Sequence, residues 1–315
     1  MIIVSKHIII LKQLITMLII MCVGVIIKKR NLLTNDGIKG LSVVLSKVAV
    51  PFMIINLLQR SYTNELLNEF IFVSISTYLL CVLFTLIFLV ISKLFKMNFK
   101  DSTLFSISAV YSNVAFMGQP LILALFGESG LIYCVAVIIV QNIYFVTFGV
   151  SLLIRNDNKK FSIIEFLKLI FFNDIFISSL IGFFLFFNEI ILPESIKNAL
   201  QYANNSTIFI SMIIIGGLLS DANFKKVIKD YKIYIFFILN LIIMPILTKF
   251  ILEFFIENDI IINVMIILMG TPTAAAMPAF CDRYNADSIK AAEYVFVSTI
   301  ISFFTLPLIA QLLCK

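Results

Sequence analysis

Long apolar runs separated by short polar breaks extend along this 315-residue chain. A run of about 20 apolar residues is long enough to cross the hydrocarbon core of a bilayer as one helix. The apolar runs are Ile8 to Ile27, Leu41 to Leu58, Phe70 to Leu94, Thr103 to Phe126, Leu131 to Ile154, Phe171 to Phe187, Gln201 to Leu219, Lys232 to Phe255, Ile260 to Phe280 and Ala291 to Leu313. The pattern predicts an all-α polytopic membrane protein with ten transmembrane helices.

Composition excludes a soluble protein and argues against nucleic-acid binding and against a metal site. Hydrophobic residues make up 61% of the chain, charged residues make up 13%, and the mean hydropathy is +1.07; an ordinary globular domain is far more polar. The net charge of +6 resides in short Lys and Arg clusters between apolar runs, so nucleic acid is not an expected partner. The five cysteines form no Cys-x-x-Cys pair, and the sequence predicts no metal site and no cofactor.

The basic residues also indicate which loops face the cytoplasm. Along the chain, 17 Lys and Arg residues fall in one set of alternate loops, and six fall in the opposite set together with the termini. Cytoplasmic loops carry the excess of Lys and Arg, so the first set is assigned to the cytoplasm. We therefore predict a multi-pass protein of the plasma (inner) membrane, surrounded by lipid, with both termini outside.

The ten runs divide into two halves of five, residues 1–154 and 171–315, joined by a cytoplasmic loop at 155–170. Because five crossings reverse the direction of the chain, a structural repeat between the halves has to be inverted. The fourth run is interrupted at Gly118-Gln119-Pro120, and the ninth at Gly270-Thr271-Pro272 and Met277-Pro278. Interruptions at matching positions predict a binding site near the membrane centre. The alternative is that these residues only kink their helices.

The candidate binding residues are the prolines of these two breaks and the neutral polar residues beside them: Ser112, Asn113, Gln119, Pro120, Thr271, Pro272, Thr273 and Pro278. Amide and hydroxyl donors together with helix N-termini favour an anion such as a carboxylate. The alternative is that the Asn and Thr side chains only bond neighbouring helices.

Four stretches of the chain carry a recognisable pattern. The longest contains an Asn, then a small-aromatic-x-Gly-x-Pro break, and then a Gly-Glu turn. The stretches are SNVAFMGQPLILALFGESGLIYCVAVIIVQNIYFVTFGVSLL from Ser112, LSKVAVPFMIINLL from Leu41, GGLLSD from Gly216 and AFCDRYNADSIKAAEYVFVSTIISFFTLPLIAQLL from Ala279. In this order they resemble the auxin efflux carrier family, in its bacterial type, which is similar to the plant PIN auxin carriers.

The resemblance implies a fold like that of bile-acid symporters and sodium/proton antiporters, with two inverted five-helix repeats and broken, crossing helices 4 and 9. It also implies a scaffold of helices 1, 2, 6 and 7, and a transport domain of helices 3–5 and 8–10 that moves as an elevator. Asn113 matches the Asn implicated in holding the substrate carboxylate in plant members. Bacterial relatives are described as carriers of organic acids such as malate or malonate. The resemblance also implies a homodimer as a possible assembly.

The chain departs from the family at two places. It has Asn173-Asp174 where relatives commonly open the sixth helix with Asn-Pro. The ninth run carries TPTAAAMP from Thr271, which has two prolines and little hydrogen-bonding capacity. The second set of polar contacts to a substrate is therefore the less defined part of the predicted site.

These features predict a secondary transporter of small organic anions, such as malate, malonate or auxin-like acids, and not an enzyme. A cation/proton antiporter is the alternative, but it needs carboxylates at membrane depth. The candidate carboxylates fall near predicted helix ends and not in the central segments of the runs. They are Glu128, Asp174, Asp221, Asp282 and Glu293. Glu293 is the candidate for proton coupling, with a loop-facing carboxylate as the alternative. A non-transporting membrane sensor is a further alternative, and the sequence leaves the direction and coupling of transport open.

Overall fold

A computed structural model describes residues 2–60, 63–154, 171–220 and 230–314, with side chains from Ile8 onward. Within these ranges the backbone is helical apart from short connections, and it contains no β-strand. The helices are α1 (Ile2–Lys29), α2 (Asn35–Leu57), α3 (Asn64–Leu94), α4 (Phe99–Val110), α5 (Val114–Ile154), α6 (Asp174–Phe187), α7 (Glu194–Ser220), α8 (Tyr231–Leu252), α9 (Asp259–Met269), α10 (Met277–Arg283) and α11 (Ser288–Leu312).

Among the described residues, seven helices are long and apolar enough to cross a membrane: α1, α2, α3, α5, α7, α8 and α11. The shorter helices α6 and α9 are also apolar. Large hydrophobic side chains of the described helices are exposed along the outer surface, for example Leu79 of α3 and Phe304 of α11. A surface of this kind is stable only in lipid. The prediction of an all-helical polytopic membrane protein is confirmed.

Helix α5 is sharply bent rather than a single 41-residue rod. Gly127 has φ 60° and ψ −148°, a conformation that a residue with a side chain rarely adopts. A Cβ on Gly130 would lie 2.8 Å from Ile122 Cγ2, although these residues would be about 12 Å apart along a straight helix. Residues 128–154 therefore fold back against residues 114–126.

Polar caps define the helix starts. Asn173 accepts the N–H of Ile175 at 2.9 Å, and Asn258 accepts the N–H of Ile260 at 3.0 Å. Asn98 caps α4 in the same manner through the N–H of Asp101. Such caps satisfy N–H groups that have no partner within the helix. The Asn173-Asp174 pair is therefore a helix start, and Asp174 also forms an ion pair with Lys47 of α2.

Three prolines inside apolar helices are each preceded by one π-helical turn. These turns are Leu45–Ala49 before Pro51, Val114–Gly118 before Pro120, and Leu239–Ile243 before Pro245. A proline lacks the N–H of a normal helix bond, and its ring clashes with the carbonyl four residues earlier. The wider π turn relieves that clash, so these three helices continue through their prolines.

Helices α1 and α7 pack at very short distance because glycines face each other. A Cβ on Gly216 would lie 2.1 Å from the Met21 carbonyl oxygen, and a Cβ on Gly24 would lie 2.6 Å from the Ile213 carbonyl oxygen. In α6, Gly182 similarly accommodates the side chain of Leu58, which follows α2. Small residues of this kind allow helix backbones to approach closely in membranes.

Gly216→Ala is expected to lower stability by about 1–3 kcal/mol, because a backbone oxygen would have to move. Gly40→Ala in α2 is the control, because no atom lies within 4 Å of its new Cβ. The chain contains no tryptophan whose fluorescence could report unfolding. Cys81, Cys134 and Cys281 are buried in the folded protein, so a thiol-reactive dye labels them on unfolding and can be used to follow melting in detergent. Equal melting temperatures for the two variants would contradict the close contact.

Candidate functional site

The interruptions of the fourth and ninth apolar runs lie directly against each other. Ser112 and Thr273 form an isolated antiparallel bridge between the two unwound stretches. The Asn113 N–H donates to the Pro272 carbonyl oxygen at 2.6 Å, and the Ala274 N–H donates to the Tyr111 carbonyl oxygen at 2.8 Å. We call residues 111–113 and 271–276 together the crossing.

Side chains from the other interruption and from α8 bond carbonyl groups that the end of α4 leaves open. The Thr273 hydroxyl donates to the Ser108 carbonyl oxygen at 2.8 Å. Asn240 of α8 donates through Nδ2 to the Ala109 carbonyl oxygen at 2.5 Å. The last carbonyls of any helix lack partners within it, and in a membrane such groups are costly. The crossing is therefore held by side chains as well as by backbone bonds.

Three of the predicted binding residues use their hydroxyl groups for the fold itself. Thr271 donates to the carbonyl oxygen of Leu268, in the last turn of α9, at 2.7 Å. The Thr273 hydroxyl is used as described above, and its N–H donates to Ser298 Oγ of α11 at 3.1 Å. The Ser112 hydroxyl donates to the Val110 carbonyl oxygen at 3.3 Å.

Asn113 differs from these neighbours because its side-chain donor has no partner. Its Nδ2 atom is buried and makes no hydrogen bond to any described residue, and the side chain is only 2% exposed. Asn113 occupies the position before residues 114–126, yet its side chain does not cap that helix. An amide donor and an uncapped helix N-terminus therefore lie together in the crossing. Both favour a negatively charged ligand.

The prediction that the fourth run breaks at Gly118-Gln119-Pro120 is wrong. The chain leaves the helix at Tyr111 and resumes at Val114, and Pro120 lies within the helix that follows. The π turn before Pro120 accommodates the ring, as at Pro51 and Pro245. In the ninth run the predicted break at Gly270-Thr271-Pro272 is present, whereas Pro278 lies in the first turn of α10.

Gln119 is buried one π turn beyond Asn113, but it reaches a different helix. Its Nε2 atom donates to Asn204 Oδ1 of α7 at 3.0 Å, and its Oε1 atom has no partner among the described residues. Sequence reasoning did not single out Asn204, Asn240 or Ser298. Each is a neutral polar residue within an apolar run, which is the signal that could have identified it.

Residues 9–310 match the model of a family described as "Membrane transport protein". The chain belongs to this family. It is the family of the auxin efflux carriers, so the resemblance drawn from the four sequence stretches is confirmed at the level of the family. A comparison with curated proteins found no match.

The membrane transport protein family is a family of membrane transporters and not a family of enzymes, so the chain is assigned to the membrane transporters. It fits the chemistry of the crossing, where the predicted polar residues are neutral amides and hydroxyls. Within the described ranges, no group of three or more His, Cys, Asp or Glu side chains could hold a metal ion.

Glu293, the candidate for proton coupling, lies in α11 outside the crossing. It is half-buried and five residues before Ser298, which is about 7.5 Å along the helix axis. An ion pair between Lys290 and Asp101 at 3.2 Å joins the start of α11 to the start of α4.

In the loop before α11, burial raises the pKa of Tyr284, and the charge of Arg283 opposes this shift.

Thr273→Val in this membrane transport protein is expected to lower stability by about 1 kcal/mol, because the Ser108 carbonyl oxygen loses its donor. Thr305→Val is the matched control, since the Thr305 hydroxyl has no partner among the described residues. Thermal melting of both variants in detergent is the measurement. A Thr305→Val variant that melts as early as Thr273→Val would contradict the role assigned to the Thr273 hydroxyl.

Proposed function

We propose that this protein is a secondary transporter of small organic anions, and that it binds the substrate carboxylate at the crossing. The observation that carries the proposal is the buried Nδ2 donor of Asn113, which has no partner among the described residues and lies beside a helix N-terminus that its side chain does not cap. A buried donor without a partner costs free energy, and a ligand that accepts its hydrogen bond removes that cost.

Charge supports an anion over a cation. Helix N-termini carry partial positive charge, and hydrogen bonds from an amide to a carboxylate are stronger than those to a neutral acceptor. A cation/proton antiporter would need a titratable carboxylate at the site, whereas Asn113, Thr271 and Thr273 are neutral. Malate and malonate, the acids ascribed to bacterial relatives, are the substrates to test first, followed by auxin-like acids.

The fold proposed for this function has ten crossings in two inverted five-helix repeats. In it the two limbs of α5 cross separately, and α4 and α9 are the first halves of helices 4 and 9. Their lengths of 12 and 11 residues support the correspondence, and both begin after a capping Asn. The halves also turn alike, since Gly127 and Asn285 both have positive φ, at 60° and 54°.

An elevator movement requires one group of helices to stay fixed while another carries the site. We assign α1, α2, α6 and α7 to the scaffold, and α3, α4, α5 and α8 to α11 to the transport domain. The glycine contact between α1 and α7 supports a rigid scaffold, as does the Lys47–Asp174 ion pair between α2 and α6. The backbone pairing of the crossing supports movement of its two halves as one body.

The proposed orientation places both termini outside the plasma membrane. The loops after α3 and before α11 then face the cytoplasm together, which agrees with the ion pair between Lys290 and Asp101. The loops before α7 and after α2 face outward together, which agrees with the bond from the Leu192 N–H to Gln59 Oε1 at 3.5 Å.

Asn113→Ala is expected to reduce malonate or malate flux in proteoliposomes at least tenfold, because the substrate loses its amide donor. Folding should be preserved, since the Nδ2 donor has no bond to lose and the backbone bond to Pro272 remains. Asn205→Ala, at an exposed position of α7, is the control. Wild-type flux in Asn113→Ala would refute the site.

The orientation predicts opposite labelling of two exposed positions in a Cys22→Ser background. A Glu194→Cys variant should react with a membrane-impermeant maleimide in intact cells. A Lys93→Cys variant should react only after permeabilisation. The reverse result would place the termini in the cytoplasm.

A further inference from the structure

A buried hydrogen bond joins the substrate-binding half of the proposed transport domain to the proposed scaffold. Gln119 lies in α5, six residues after Asn113, and Asn204 lies in α7. The bond from Gln119 Nε2 to Asn204 Oδ1 is 3.0 Å long, and the two residues are only 2% and 9% exposed. Transport by an elevator movement has to break this bond, because its two ends belong to different bodies.

Asn204 differs from the other polar residues on the buried face of α7. The Thr207 hydroxyl donates to the Ala203 carbonyl oxygen at 3.0 Å, and the Ser211 hydroxyl donates to the Ile208 carbonyl oxygen at 2.8 Å. Both of these bonds remain within the helix. Asn204 instead offers its oxygen to another helix, and it therefore contributes to the contact between helices rather than to its own backbone.

Gln119 has unused capacity that a ligand could engage. Its Oε1 atom is buried without a partner among the described residues, while its Nε2 atom donates to a neutral amide oxygen. A carboxylate accepts hydrogen bonds from an amide more strongly than a neutral amide oxygen does. Because Nε2 carries two N–H groups, a carboxylate that enters beside Asn113 can accept one of them and draw the amide away from Asn204.

We infer that Asn204 is a positioning residue that acts as a latch. In the substrate-free protein it holds Gln119 and thereby restrains the half-helix 114–126 against the scaffold; the bound carboxylate takes the Gln119 donor and releases that restraint. The inference rests on the proposed function, because it assigns the anion site at the crossing as the competitor. It links occupancy of the site to freedom of movement without a charged group.

A second contact between the proposed scaffold and the proposed transport domain lies outside the helices' buried centres. Arg60, in the loop after α2, donates through Nη1 to the Glu128 carbonyl oxygen at 3.0 Å. The Arg60 bond is exposed, so water replaces it readily when the two bodies separate. The buried Gln119–Asn204 bond has no such substitute.

The latch predicts opposite effects of substitutions at its two ends. Asn204→Leu removes the acceptor, so substrate binding no longer has to break the bond, and the KM for malonate uptake should fall about three- to tenfold. Gln119→Leu removes the donor that the substrate uses, and KM should rise. Asn205→Leu is the control, because Asn205 is exposed and accepts a bond from Gln201 of its own helix at 3.0 Å.

The measurements are uptake of radiolabelled malonate into proteoliposomes and hydrogen–deuterium exchange of the substrate-free protein in detergent. In Asn204→Leu, amide exchange within residues 114–126 should be faster than in wild type and in Asn205→Leu, since the restraint is gone. Asn204→Ala removes the same acceptor with less apolar bulk, and it serves as the second variant if the leucine variant does not fold.

Two results would overturn the latch. The first is exchange and KM in Asn204→Leu equal to those of Asn205→Leu. The second is an increase of KM in Asn204→Leu as large as in Gln119→Leu, which would show that Asn204 contacts the substrate directly. If wild-type protein transports no malonate, malate or auxin-like acid, the proposed function fails, while the exchange measurement still decides whether Asn204 restrains α5.

Discussion

The structure depends on the requirement that backbone N–H and C=O groups inside a membrane have hydrogen-bond partners. A helix that ends inside a bilayer exposes such groups, and hydrocarbon offers no water to satisfy them. At the crossing, each interruption supplies partners to the other through the bonds of Asn113 with Pro272 and of Ala274 with Tyr111. Neither interruption would be stable alone, so the two halves of the chain are joined at this point.

The same requirement explains what the sequence could predict of the fold. Apolar runs and the break at Gly270 are local signals, and they identified α9 and most other helices closely. The break before Val114 was misplaced because Pro120 is also a local signal, yet a single π turn accommodates it. What unwinds the chain at residues 111–113 is pairing with residues 271–276, more than 150 positions away, and no local pattern carries that information.

The candidate site shows a similar division. Sequence reasoning identified the neutral polar residues around the two breaks, but it could not separate residues that complete the fold from those that keep a free donor. Thr273 and Asn113 lie beside each other at the bridge. The Thr273 hydroxyl donates to the Ser108 carbonyl oxygen, whereas Asn113 Nδ2 has no partner among the described residues. Asn204 and Asn240 were missed for the same reason, because their partners lie in other helices.

Neutrality of the site has a consequence for how the proposed transporter responds to voltage. Asn113, Gln119, Thr271 and Thr273 carry no charge, so the charge of the loaded site is that of the bound carboxylate. A membrane potential of 100 mV acts on one elementary charge with about 2.3 kcal/mol across the full bilayer. Under an elevator movement, the membrane potential therefore changes the free energy of moving the loaded crossing, but not that of moving the empty one. A neutral site thus places the dependence on voltage in the loaded step, and the hydrogen bonds that restrain the empty protein determine how readily it returns.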